Sequence, residues 1–399
     1  MSGRIPRRSF LAGSVAAGAG ATLGAVTATA ATAPQTPAAG LKTRVPFAGL
    51  HQAGVATPRP AHAIFVAFDA VAQDRPGLAA TLQDLSAHAA RLTRGYDALL
   101  GNPGGGPTVD SGVVGNRVEP DALTVTIGFG NSLFDGRYGL QSRKPDGLSA
   151  MPTFPDDSLD PAECHGDVLV QLCANTQETL LNALRDLMRA TRAGLGLRWK
   201  IEGYLPAHRE SGAGRNLLGF KDGTSNPDTT DDEQLGRLVW QPGGGTFQVV
   251  RLIRNCVEFW DRVALDEQEL MIGRRKDTGA PLDGRRESDI PGFAADPKGA
   301  AIPLDAHIRL ANPRTAATEP KRILRRGYNY SRGVDPAGQL DMGLIFSSFQ
   351  RHLSQFVEIQ RRLAGEPLVD YVVPTGGGFF YVPRGARDVQ DWVGSDLFV

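Results

Sequence analysis

The chain has 399 residues, 41% of them hydrophobic, and sets 43 Lys+Arg against 43 Asp+Glu. That length suits two average domains, and that apolar share can fill real cores. A net charge of zero leaves no footprint for nucleic acid or an anionic membrane, so neither is expected as a partner. Three cysteines, Cys164, Cys173 and Cys256, are too few for a disulfide framework and contain no C-x-x-C pair for zinc or covalent haem attachment. Cys173 lies in an apolar run and reads as core; one disulfide from Cys164 to another cysteine stays open.

In chain order, residues 1–33 read as a twin-arginine signal. Arg7-Arg8-Ser9-Phe10-Leu11 precedes a mild Ala/Gly/Val stretch, and Ala31-Thr32-Ala33 offers a cleavage site. The stretch is too short and too Gly-rich for a membrane span, so no insertion is expected after its removal. The implied partner is the twin-arginine translocase, and the implied destination is periplasmic, cell-wall or extracellular. Twin-arginine export carries folded proteins and is often used when a cofactor is inserted first. Residues 34–46 read as a linker.

From Phe47 onward the patterning alternates between strand and helix. His62–Asp69 reads as a strand, 75–100 as a helix with Leu78, Leu82, Leu85, Ala89 and Leu92 at helical spacing, and Leu123–Phe129 as a strand. Asp167–Cys173 is another strand, Thr176–Ala193 a helix, and Arg198–Tyr204 a closing strand. This is the ferredoxin-like order. The second half repeats it in outline. Gly245–Arg254 reads as a strand, Phe259–Gly273 as a helix, Leu340–Ser347 as a strand, Gln350–Leu363 as a helix and Phe379–Val382 as a strand. The expected fold class is α+β, with two ferredoxin-like domains over 47–210 and 211–399, resembling a dimeric α+β barrel. A long connection over 274–338 remains, and long ordered loops are usually functional.

That connection carries His307 in Asp305-Ala306-His307-Ile308-Arg309-Leu310-Ala311-Asn312-Pro313-Arg314. An imidazole can hold haem iron on one face and leave the other open. The flanks mix apolar and cationic groups, so Arg309 is expected to meet haem propionates. Upstream, Gly219-Phe220-Lys221-Asp222-Gly223-Thr224-Ser225-Asn226-Pro227 offers a carboxylate on a glycine turn. Asp222 could carry a proton between peroxide oxygens, and Gly219 and Gly223 allow close backbone approach. Thr224, Ser225 and Asn226 read otherwise as ordinary turn residues. Arg325, a guanidinium that stays charged, could steady negative charge.

The Gly-Phe-Lys-Asp-Gly run and the spacing from His307 to Arg325 resemble the dye-decolourising peroxidase family. So do Gln52-Ala53-Gly54-Val55, Gly166–Gln171, Trp260-Asp261-Arg262 and Pro374–Phe380. The resemblance is strongest to the exported branch that includes the peroxidase of bacterial ferrous-iron uptake. It implies one haem b per chain in the C-terminal domain, with His307 as proximal iron ligand and Asp370 in Leu368-Val369-Asp370-Tyr371 as its carboxylate partner. It implies Asp222 and Arg325 as the catalytic pair, Gly223 and Thr224 against the haem, and Leu344 and Phe346 drying the distal pocket. The partners would be hydrogen peroxide and organic one-electron donors such as dyes and phenolics; a homo-oligomer stays open. One departure is visible: some relatives carry asparagine two residues after the distal arginine, where this chain has Gly327. Trp199, Trp240, Trp260 and Trp392 are candidates for surface electron transfer, though core packing explains each. The alternative function is haem binding with iron release, which would need His307 but not Asp222 and Arg325 together.

Overall fold

The computed structural model describes residues 38–99, 101, 105, 106, 108–207 and 212–399. The leader expected over 1–33 lies outside them. The main strands are β1 His62–Ala70, β2 Thr124–Gly130, β3 Val168–Ala174 and β4 Leu195–Tyr204, then β5 Thr246–Asn255, β6 Tyr328–Val334, β7 Leu340–Gln350 and β8 Val372–Val382. Their pairing order is β5-β8-β2-β3-β1-β4-β6-β7, and β7 pairs back onto β5, so the sheet closes into an antiparallel barrel. The first four strands run β2-β3-β1-β4 and the last four β6-β7-β5-β8, the same ferredoxin-like arrangement twice. The two sets meet at short seams. Phe380 and Tyr381 pair with Gly130 and Phe129, and Tyr204 pairs with Asn329.

Alternation of side chains builds two cores from each strand. In β1, Ala63, Phe65 and Ala67 point into the barrel, while Ile64, Val66 and Phe68 pack outward under the helices. Both faces are buried, which is why the sequence shows an unbroken apolar run. Outside lie α1 Arg75–Arg94 and α2 Gln177–Thr191. The stripe in α1 is buried as its spacing predicts: Leu78, Leu82, Leu85, Ala89 and Leu92 are each at most 1% exposed. Asp74 caps its start, accepting from Gly77 N at 2.8 Å. Truncating Leu82 to alanine would cost about 2–5 kcal/mol.

Three stretches differ from the sequence reading. The single helix expected over 259–273 is two pieces, Val257–Trp260 and α3 Leu265–Ile272. The connection over 274–338 contains β6, with Tyr328 and Tyr330 fully inside the barrel, and a short helix α4 His307–Ala311. The end of the expected linker is docked, because Leu41 O and Thr43 O accept from Asp121 N and Ala122 N. The last helix, α5 Leu353–Leu363, follows β7.

Both barrel ends are covered. Residues 52–60 close one, with Gln52 Nε2 donating to Ile127 O and Pro383 O. Residues 158–165 close the other: Ser158 N, Asp160 N and His165 N donate to Pro374 O, Thr375 O and Gly377 O of β8. Trp199 Nε1 of β4 donates to His165 O at 2.7 Å. All three cysteines are free thiols.

Candidate active site

The outer face of the last four strands, with α4 and α5 over it, encloses a cavity of about 280 Å³. His307, the first residue of α4, lines it. Its Nδ1 meets both oxygens of Glu366, at 3.0 and 2.9 Å. Nε2 makes no hydrogen bond among the described residues. Burial pushes the imidazole down, but the charge and hydrogen bond of Glu366 outweigh it and raise the His307 pKa above its usual value. A carboxylate on the far ring nitrogen fixes tautomer and orientation and makes the other nitrogen a better ligand. Arg362 of α5 steadies α4, its Nε and Nη2 donating to Leu310 O and Ala311 O at the helix C-terminus.

Asp222 and Arg325 line the same cavity, joined by an Arg325 Nη1–Asp222 Oδ1 bond of 2.7 Å. Both side chains are about 30% exposed, at 30% and 31%, so the pair contributes little stability. Its value lies in placing an acid–base group and a fixed cation side by side. Each member is held from behind. Lys221 Nζ and Thr224 Oγ1, which flank Asp222, donate to Glu287 Oε2 and Oε1, each at 2.9 Å. Burial works against the Glu287 carboxylate, but Lys221, Ala213 N and Thr224 draw its pKa below the usual range. Gly223 has φ +114°, a backbone state that favours glycine, and so lets the chain turn at Asp222. Asn226 grips Arg325 by the backbone, Nδ2 donating to Arg325 O at 2.7 Å and Oδ1 accepting from Arg325 N at 3.1 Å.

Leu344 and Phe346 of β7 line the cavity with Ile253 and Ile308, and Gly223 and Thr224 reach it as expected. Two expected contacts do not form. Arg309 turns away from the cavity: it donates to Asp296 O at 2.6 Å and Ile302 O at 2.8 Å and lies over the Phe293 ring. Arg274 and Arg322 are cavity-lining cations instead. Asp370 is exposed at the end of a 3-10 turn, Pro367–Asp370, and the carboxylate on His307 is Glu366. Gly327 bounds a narrow adjoining space of about 50 Å³ that shares Asp222, Arg325, Leu344 and Phe346 with the main cavity. Where relatives would place an amide, its carbonyl accepts from Arg59 Nη1 at 3.0 Å. Trp199 and Trp260 are buried, Trp240 stacks on His51 at 3.7 Å, and Trp392 packs on Phe398.

Family models described as Dyp-type peroxidase, N-terminal and Dyp-type peroxidase, C-terminal match residues 52–205 and 213–387. The chain belongs to the Dyp-type peroxidase family. It is 48% identical over 366 residues to deferrochelatase of Escherichia coli (strain K12), covering 88% of this chain and 86% of that one. A DyP-type peroxidase from Cellulomonas bogoriensis is similar in structure, with TM-score 0.80 and 36% identity over 90% of this chain and 99% of that one. Ferric DtpA from Streptomyces lividans gives TM-score 0.80 and 34% identity over 91% and 99%. Membership makes the chain a haem peroxidase. The cavity's donor set fits that cofactor: one carboxylate-backed imidazole with a free nitrogen, apolar walls for a porphyrin and arginines for its acid groups. Among the described residues no helix is long and apolar enough to cross a membrane.

Proposed function

We propose that His307 is the proximal haem ligand, held by Glu366, and that Asp222 and Arg325 are the catalytic pair. Bound haem supplies the iron at which peroxide is reduced and the oxidising equivalents that follow. Asp222 takes the proton from one peroxide oxygen on Oδ and returns it to the other, so that the departing oxygen leaves as water. Arg325 holds the negative charge that develops during this transfer. Leu344 and Phe346 keep the neighbourhood dry, which strengthens both effects. Overall, one hydrogen peroxide becomes two waters while two organic donors, dyes or phenolics, each lose an electron and a proton. Arg274 and Arg322 are the candidates for the haem's acid groups.

One observation carries this reading: a carboxylate and a guanidinium bonded to each other in the cavity that also receives the carboxylate-backed imidazole. Iron release without oxidation would need no such pair. The paired arginines Arg7 and Arg8 support export by the twin-arginine translocase to a periplasmic, cell-wall or extracellular site. The gap between the two family matches, 206–212, supports a domain boundary there. The test is steady-state dye oxidation by the holoprotein. Asp222→Ala and Arg325→Leu should each lower kcat/KM for peroxide about 10²–10⁴-fold, with the Soret band of bound haem retained. Wild-type rates in both variants would remove the assignment.

A further inference from the structure

Arg326 directly follows the two-residue strand Leu324–Arg325, and in this extended backbone, with Arg326 N donating to Ser347 O, its side chain points opposite to that of Arg325, into the barrel. There the residue is 4% exposed. Its Nη1 donates to Thr57 O at 2.5 Å, whereas Nε and Nη2 are buried without an acceptor among the described residues. Its neighbours are the Tyr328 phenol and the Cys173 thiol, with Arg59 adding like charge; none is a carboxylate. A guanidinium keeps its proton even when buried.

The barrel end around it is polar. Gln171 and Gln248 are bonded at 2.7 Å, and Gln171 Nε2 also reaches Gly54 O at 3.3 Å and Cys173 Sγ at 3.6 Å. Gln248 Oε1 is also buried without a hydrogen-bond partner among the described residues. The segment 52–60 covers this end, with Thr126 Oγ1 donating to Ala53 O and Tyr328 OH to Pro60 O. A buried charge without a counter-charge is strongly disfavoured. Water could satisfy the two free donors but would leave the charge uncompensated; a small anion does both. The geometry points to a site for a small monovalent anion of the halide class at Arg326 Nε and Nη2, inside the barrel beneath residues 52–60. The site is separate from the haem cavity, and its occupant ties the strand carrying Arg325 to the covering segment.

The test uses holoenzyme crystals soaked in bromide and measured at the bromine edge, together with thermal melts in chloride against gluconate at equal ionic strength. An anomalous peak within hydrogen-bond distance of Arg326 Nε and Nη2 is expected. A saturable rise in Tm with millimolar chloride is also expected, absent in Arg326→Gln and weakened in Arg326→Lys. Density at that position without anomalous signal overturns the proposal. So does a chloride shift of equal size in wild type and both variants, or a peak without any saturable shift, which would mean an adventitious ion only. If Arg326→Gln does not fold, the wild-type map and the Lys variant decide.

Discussion

Asn226 offers the sharpest test of how the distal pair is held. A single amide takes both the N–H and the C=O of Arg325, at 3.1 and 2.7 Å. Asn226→Ala leaves those two part-buried backbone groups to water. Each unsatisfied group costs about 1–3 kcal/mol when fully buried, and partial access to solvent reduces the sum to about 2 kcal/mol. The melting temperature should then fall by a few degrees. The larger effect is on placement. Freed from its clamp, the guanidinium drifts from Asp222, and an ångström of misplacement costs about 10²-fold in rate. Asn226→Asp keeps the acceptor for Arg325 N but turns a carboxylate oxygen onto Arg325 O, so it should fall between wild type and alanine. The decisive assay is a double-mutant cycle on kcat/KM for peroxide. If Asn226 acts through Arg325, adding Asn226→Ala to Arg325→Leu changes nothing further. Multiplicative losses, or an unaltered rate in the single variant, would refute the positioning role.

Three further outcomes are expected. Glu366→Gln should speed haem transfer to an apo-globin acceptor about 10–100-fold, while Asp370→Ala leaves it unchanged; the reverse result would restore the carboxylate expected from the sequence. Arg309→Met should lower stability by about 1–3 kcal/mol in urea melts, since two backbone carbonyls lose their donor, yet leave the Soret band and haem retention intact. Asp186 is 3% exposed and accepts from His88, Arg91 and Arg189. Burial works against its charge, but the His88 hydrogen bond and then Arg91 prevail and hold its pKa below the usual value. Because the folded value is the lower one, its stabilisation is full above about pH 4 and is lost as pH falls through the folded value. The three partners are 34–41% exposed, which limits the contribution to about 1–2 kcal/mol. Asp186→Asn should therefore be less stable than wild type at neutral pH, with the gap closing in acid; a gap that widened in acid would contradict the sign.

The strand and helix order was legible because buried strands and amphipathic helices write their periods into the sequence. β6 was not: only Tyr328 and Tyr330 bring large side chains to the barrel core, Asn329 between them is buried but polar, and the strand from Ser331 on is exposed. At the site, His307, Asp222 and Arg325 come to one cavity, as their motifs suggested. Arg309 failed for a geometric reason. In a helix the residue four positions after His307 returns to its side, and that residue, Ala311, lines the cavity. Arg309, two positions on, lies about 200° round the helix and faces away; a helix of only five residues is too short to show its period in the sequence. Glu366 carries no periodic signal, because it sits in the turn after α5, and only the folded chain brings it 2.9 Å from His307. Asn226 looked like any turn residue beside proline; its partner is 99 residues away.

The coverage of both barrel ends has a consequence for a protein that handles an oxidant. Cysteine is oxidised by peroxide through its thiolate, which attacks the peroxide oxygen. Cys173 is sealed inside the barrel, Cys164 lies in the segment closing one end, and Cys256 is half-buried after β5. Burial raises the pKa of all three. Burial thus biases all three thiols toward the protonated form, the one that peroxide oxidises least readily.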